Sequence, residues 1–186
     1  MESNHHQETE FITLGAGCFW CIEAIYQQVD GVLDVESGYA GGDSSDPTYK
    51  TVKSGKHGHT EVVKVTFDRE KISLEEILKI FFYIHDPTAL RKQGKEVKTQ
   101  YISAIFYNDE RQRKKAEEIK NRVEEIKNLK EGALVTKIAL LKNYKAAEAE
   151  HQNFYQNDPS NSYCQTIIKP KLEEFSRMVD EVKAKK

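Results

Sequence analysis

Residues 15–31 read GAGCFWCIEAIYQQVDG. Their succession of glycine turn, cysteine and apolar face decides how the chain begins to fold. Just before them, TEFITL (9–14) carries Phe11, Ile12 and Leu14, which predicts a short buried strand ending in a turn at Gly15 and Gly17. From Cys18 onward, Phe19, Ile22, Ile25, Tyr26 and Val29 keep the spacing of one helical face, with Gly31 as the stop. The turn thus delivers Cys18 to a helix N-terminus, where free N–H groups and the helix dipole favour a nucleophilic thiolate. A small core residue behind a glycine turn is the plainer alternative.

Working outward, VLDVESGY (32–39) and EVVKVTFD (61–68) predict strands, separated by glycine-, serine- and proline-rich loop. Ser73 with Glu76 forms a capping-box pattern ahead of a helix over 74–84. TQYISAIFY (99–107) predicts a strand, and Asn108 or Asp109 can cap a long helix with Ala116, Ile119, Val123, Ile126 and Leu129 inward. LVTKIALL (134–141) predicts another strand and 146–156 a helix. NDPSNSYC is then a loop presenting Cys164, and a last helix follows Pro170 with Leu172, Phe175, Val179 and Val182 inward. The order β α β β α β α β α α predicts a mixed α/β (α+β) single domain. Its first six elements match a two-layer ferredoxin-like βαββαβ core, followed by extra C-terminal helices and a long C-terminal loop. Residues 1–8 are expected to be a flexible N-terminus and 183–186 a frayed tail.

A net charge of −2 with no basic stripe argues against nucleic acid as a partner. The longest apolar run, Ile80 to Ile84, is far below the roughly 18 residues of a membrane span. MESNHHQETE lacks an export-signal pattern, and three cysteines at unequal spacing do not form a secreted disulfide framework. A cytoplasmic protein with reactive thiols, working as a monomer, is the expectation.

Several residues are candidates for chemistry. Cys21, one turn below Cys18, makes a C-x-x-C redox pair possible, although Phe19 and Trp20 stand where small residues or proline are usual; a packed helix cysteine is the alternative. Cys164, in a polar loop, is placed where a second thiol that must travel would sit. Phe19 and Trp20, about 100° apart on the helix, cannot both face the core, so one or both can line a pocket. Tyr49, Glu61 and Tyr101 flank strands and are of the types needed around an oxygen that must be protonated. His57 and His59 with the C-x-x-C do not match a familiar zinc spacing, and no phosphate-loop pattern is present, so neither metal nor phosphate cradle is expected.

GAGCFWCIE (15–23), SGYAGG (37–42), Pro47 to Tyr49, SGKHGHTEVV (54–63), HDPT (85–88), TQYISAIFY (99–107) and AEAEHQNFYQNDPSNSYC (147–164) resemble, in order, segments of the A-type peptide methionine sulfoxide reductases, which act on the S epimer. The resemblance implies that Cys18 attacks the sulfoxide sulfur and that Phe19 and Trp20 wall the pocket for the methyl group. Glu61 matches the family's acid, Tyr49 and Tyr101 its oxygen-binding tyrosines, and Cys164 its C-terminal resolving position. Cys21 is a possible alternative resolving thiol. A Cys18 sulfenic acid would then become a disulfide, recycled by thioredoxin, or by dithiothreitol in vitro, with no bound cofactor. In GKEVKTQYIS the chain departs from the family pattern: Glu96 takes the acidic, substrate-binding position, Lys98 replaces a glycine and Ile102 an arginine. Two other functions remain open on the residues: a thiol-disulfide exchanger using Cys18 and Cys21, or a redox-responsive protein that binds oxidised or methionine-rich segments.

Overall fold

The computed structural model describes residues 8–88, 91–92, 95–96 and 98–185, with the backbone alone for 91–92 and 95–96. Eight strands and six α-helices are assigned among them. In chain order they are β1 (Thr9–Ala16), α1 (Phe19–Tyr26), β2 (Val32–Ala40), α2 (Tyr49–Lys53), β3 (Thr60–Asp68), α3 (Leu74–Tyr83), β4 (Arg91–Lys92), β5 (Lys95–Glu96), β6 (Ser103–Tyr107), α4 (Glu110–Ile126), β7 (Lys137–Leu140), β8 (Lys145–Ala146), α5 (Phe154–Asn157) and α6 (Lys169–Ala184). Six strands form one sheet in the order β7-β6-β1-β3-β2-β8, and β4 pairs with β5 alone.

The four central strands, β6-β1-β3-β2, are mutually antiparallel, with Ile12 opposite Val65 and Leu14 opposite both Val63 and Ile105. With α1 and α3 as the crossovers they form the expected ferredoxin-like plait. After β6, α4 returns the chain so that β7 lies parallel to β6, and β8 closes the other edge against β2. The main core lies between the sheet and its helices, with Ile12, Leu14, Phe19, Tyr26, Val65, Phe67, Ile77, Phe81 and Ile105 all buried. Tyr26, without exposed surface, donates its hydroxyl to the Ile77 carbonyl at 2.9 Å and so ties α1 to α3.

The predicted caps form. Ser73 and Glu76 make a reciprocal capping box, and Asp109 caps α4 through the Gln112 N–H at 2.8 Å, contacts of about 1 kcal/mol each. Several boundaries move. Residues 99–101 form a 3₁₀ turn, and the strand starts only at Ser103. Ile126 is 75% exposed rather than inward, because α4 ends there and the chain turns away. The helix expected over 146–156 divides into β8, a 3₁₀ turn at 149–151 and α5, since Glu148 and Gln152 are held by β2 and α2 rather than by helix neighbours. α6 continues to Ala184, so 183–184 are helical rather than frayed; Val182 is exposed, contrary to its expected inward position. Residues 1–7 and 186 lie outside the described set.

His85 illustrates why HDPT is not simply a loop. Its Nδ1 donates to the Phe81 carbonyl at 2.6 Å, and its Nε2 accepts from Ser103 Oγ at 2.7 Å, joining the end of α3 to β6. Burial lowers its pKa from 6.5 to about 4, with the bond to Phe81 opposing. A base depressed in the folded state binds more protons when unfolded, so its stability contribution is complete above pH 6.5 and is lost as pH falls toward 4. Urea unfolding across that window is expected to show a loss on the order of 3 kcal/mol, and His85→Gln to flatten the slope.

Candidate active site

The site is built where β1 hands the chain to α1. Gly17 has φ of +95°, a conformation that disfavours any side chain, and Cys18 follows as the N-cap of α1 with an extended backbone and no side-chain cap bond. Gly15 allows the close approach of neighbouring backbone, for a Cβ there would lie 3.1–3.3 Å from Thr60, Ile102 and Glu61. Close packing of β1 on β3 therefore sets Glu61 beside the start of α1. The expected arrangement of strand, turn and cysteine at a helix start is what forms.

Glu61 is 1% exposed. One carboxyl oxygen accepts the Phe19 N–H at 3.3 Å and the other accepts the Gln100 side-chain amide. Burial, and then the charge of Cys18, raise its pKa to about 8, against the lowering effect of those two donors. At neutral pH Glu61 is therefore a carboxylic acid, able to give a proton to an oxygen within hydrogen-bond reach.

Cys18, Phe19, Trp20, Tyr49, Glu61, Tyr101 and Tyr163 line one cavity of about 210 Å³. Phe19 is fully buried yet reaches the cavity wall, with its ring 5.8 Å from Tyr39 and 6.2 Å from Trp20. Trp20, half-buried, stacks on Phe154 at 3.9 Å and donates its indole N–H to His151 Nδ1 at 3.2 Å. Adjacent helix positions thus share the work: Phe19 joins core to cavity, and Trp20 forms the outer wall. Tyr49 begins α2, its backbone N–H held by Glu148 at 3.1 Å, and Tyr101 ends the 3₁₀ turn. Burial and the Glu61 charge raise both phenols, so they are neutral donors.

The two thiols of the C-x-x-C titrate as a unit. The hydrogen bond with Cys18 is the first cause that draws Cys21 down to about 7, with Lys171 and Tyr163 in the same direction and burial opposing. The same bond, burial and the Cys21 charge push Cys18 up, outweighing the Trp20 N–H and the Tyr163 hydroxyl. The proton they share therefore belongs to the pair rather than to either thiol alone.

Cys164 differs most from expectation. It has no exposed surface and opens a π-helical turn, Cys164–Ile168, that runs into α6. It packs with Cys21, Ala24, Ile25, Ile168, Leu172 and Phe175. The polar run before it obscured this, but Cys164, Ile168, Leu172 and Phe175 fall at spacings of four, four and three, so the thiol belongs to the inner face of the final helix. Pro170, expected to begin that helix, instead lies within its first turn, and the wide π turn precedes its ring.

Sequence reasoning passed over Tyr163, Gln100 and His151. Tyr163 stands in a polar run with no periodicity. Gln100 and His151 act through Glu61 and Trp20, which only the fold brings near. Glu23, 1% exposed, accepts the Ser37 hydroxyl at 2.9 Å and the Phe154 N–H at 3.3 Å, and so holds the ring that Trp20 stacks on. Lys98 adopts φ −60° and ψ 144°, so no left-handed conformation is imposed where the family pattern has glycine. The Glu96 side chain lies outside the described residues. His59 bonds the Ser44 carbonyl and the Gly42 N–H, away from the cysteines. Among the described residues, Glu148, Glu150 and His151 bring their donor atoms within 4.8 Å of one another, a group without a cysteine.

The family model described as Peptide methionine sulfoxide reductase matches residues 10–184. Peptide methionine sulfoxide reductase MsrA of Saccharolobus solfataricus is 47% identical over 175 residues, covering 94% of this chain and 97% of that one. Reduced Mxr1 from Saccharomyces cerevisiae superposes with a TM-score of 0.74 at 33% identity, covering 84% of this chain and 89% of its own. Mxr1 in complex with Trx2 gives 0.55 at 26% identity, covering 78% and 84%. A cysteine at a helix start, a buried neutral acid and two tyrosines in one aromatic cavity, with a match running from β1 through α6, place this chain in the peptide methionine sulfoxide reductase family, as an oxidoreductase of the MsrA type.

Proposed function

We propose that the chain reduces methionine-S-sulfoxide, free or in oxidised proteins, and so repairs them. The observation that carries the reading is Glu61, buried beside Cys18 and lining one cavity with it, Tyr49 and Tyr101. The sulfoxide methyl group lies against Phe19 and Trp20, and its oxygen accepts hydrogen bonds from Tyr49 and Tyr101. Cys18 attacks the sulfur while Glu61 supplies a proton to the oxygen, whose developing charge is the barrier. Methionine leaves, and the oxygen remains on Cys18 as a sulfenic acid. A second thiol converts this to a disulfide and releases water, the stable product being a bond to Cys164.

Recycling by thioredoxin is supported by the relationship to Mxr1, which forms a complex with Trx2. Within this reading the 186 residues act as one domain, a cytoplasmic monomer with no bound cofactor. No described helix is long and apolar enough to cross a membrane.

The test is reduction of a blocked methionine sulfoxide as separate S and R epimers, with thioredoxin and its reductase or with dithiothreitol. Methionine is expected from the S epimer only. Absence of turnover with any S-sulfoxide would overturn the reading, and insulin reduction without sulfoxide turnover would favour a thiol-disulfide exchanger.

A further inference from the structure

The structure separates Cys18, the thiol that is oxidised, from Cys164, the thiol expected to resolve it, and packs a third, Cys21, with both. Cys18 is half-buried at the cavity, whereas Cys164 has no exposed surface and lies in a cluster behind it. Cys21 belongs to that same cluster, against which Cys18 also packs. Cys21 is at the third position of α1, and its N–H bonds the Cys18 carbonyl at 3.2 Å. Residues three apart in a helix have Cβ atoms about 5–6 Å apart. A disulfide needs roughly 4 Å, so only a small movement is required of Cys18, whose N-cap backbone is already non-helical. Tyr163 joins the two ends: its hydroxyl is 3.8 Å from Cys21 Sγ, and its ring lines the cavity with Cys18.

We propose that Cys21 is a relay thiol between Cys18 and Cys164, placed by α1 so that the sulfenic acid is resolved first within one helical turn. The proposal rests on the reductase reading above. In the first step Cys21 sulfur attacks Cys18 sulfur, the S–O bond breaks, and the hydroxyl leaves as water with the proton that Cys21 gives up. In the second, Cys164 attacks Cys21 sulfur. The Cys18–Cys21 bond breaks, and Cys18 leaves and takes up the proton lost by Cys164. The result is a Cys21–Cys164 disulfide and a regenerated Cys18. Two features favour this order. Cys21 is one helical turn from Cys18, while burial raises the pKa of Cys164. Cys164 also opens a π-helical turn, a rare geometry that recurs at functional sites and can relax locally when the thiol moves.

The experiment is acid quenching of the full-length protein at successive times after one equivalent of methionine-S-sulfoxide, with mass mapping of disulfides and dimedone trapping of sulfenic acid. The wild-type time course is expected to show Cys18–Cys21 first and Cys21–Cys164 second. Cys164→Ser should accumulate Cys18–Cys21. Cys21→Ser should stop after at most one methionine per chain, with a Cys18 sulfenic acid that outlives the wild-type species by about tenfold or more. Cys21→Ala provides the same reading should a buried serine perturb folding. A direct Cys18–Cys164 bond as the first wild-type disulfide, or its formation at the wild-type rate in either Cys21 variant, would sink the relay while leaving the reductase reading standing. Failure of the wild type to release methionine would overturn both.

Discussion

Cys18→Ser is expected to lower turnover of a methionine-S-sulfoxide substrate by at least about 10⁴-fold, to the background of the assay. A serine hydroxyl is barely ionised at neutral pH and cannot accept the sulfoxide oxygen as a sulfenic acid, so neither the attack nor the oxidised intermediate survives the change. The fold is not expected to suffer. Position 18 is the N-cap of α1 and makes no side-chain cap bond, while serine is among the preferred N-cap residues. Thermal unfolding should therefore give a Tm equal to or above that of the wild type, and an oxidised peptide should still bind by calorimetry. Residual turnover within tenfold of the wild type would remove Cys18 from the reaction.

Glu61→Gln is expected to reduce kcat/KM by about 10²–10³-fold, since the amide keeps the shape and the hydrogen-bonding groups but has no proton to transfer. In the wild type, kcat/KM should fall on the alkaline side as Glu61 ionises near pH 8, and that limb should be lost in the variant. The effect on stability runs the other way. The carboxyl titrates near 8 when folded and near 4.5 when free, so the folded state holds an extra proton between these values and loses stability as pH rises through them. Above pH 8 a buried carboxylate weakens the wild type by up to a few kcal/mol, and Glu61→Gln should unfold at a higher temperature. A variant equal to the wild type in both activity and alkaline Tm would show that Glu61 is not the buried acid.

These two residues were visible in different ways. Cys18 stands in a local pattern of strand, glycine turn and helix, and every part of that pattern acts within a few residues, so its place at a helix start was legible. Glu61 alone reads as an ordinary residue at a strand mouth. Its chemistry comes from Gly15 letting β1 approach β3, and from Gln100 and the Phe19 N–H reaching its two oxygens. The family resemblance marked it; no periodicity could. Tyr49 and Tyr101 likewise become a site only because separate turns face one cavity.

The plait core was legible for a similar reason. β3 alternates, α3 carries its own capping box, and α4 its cap and stripe, so local rules and the sheet agree. The C-terminal third was less so. There Glu148 and Gln152 reach across to Tyr39, Tyr49 and Ser37, and these distant partners break up a helix that local propensity favours.

By itself the sequence determined the strand-turn-helix that presents Cys18 and the βαββαβ order of the core, because each depends on neighbours in the chain. Only the tertiary structure decided that Cys164 is buried on the inner face of the last helix and that Cys21 shares its cluster, with Cys18 packed against it. Those facts depend on how α6 packs against α1, across more than a hundred residues. The stretch from Gly15 to Gly31 therefore presents Cys18 and Cys21, and the helix packed behind it brings Cys164 into the same cluster as Cys21.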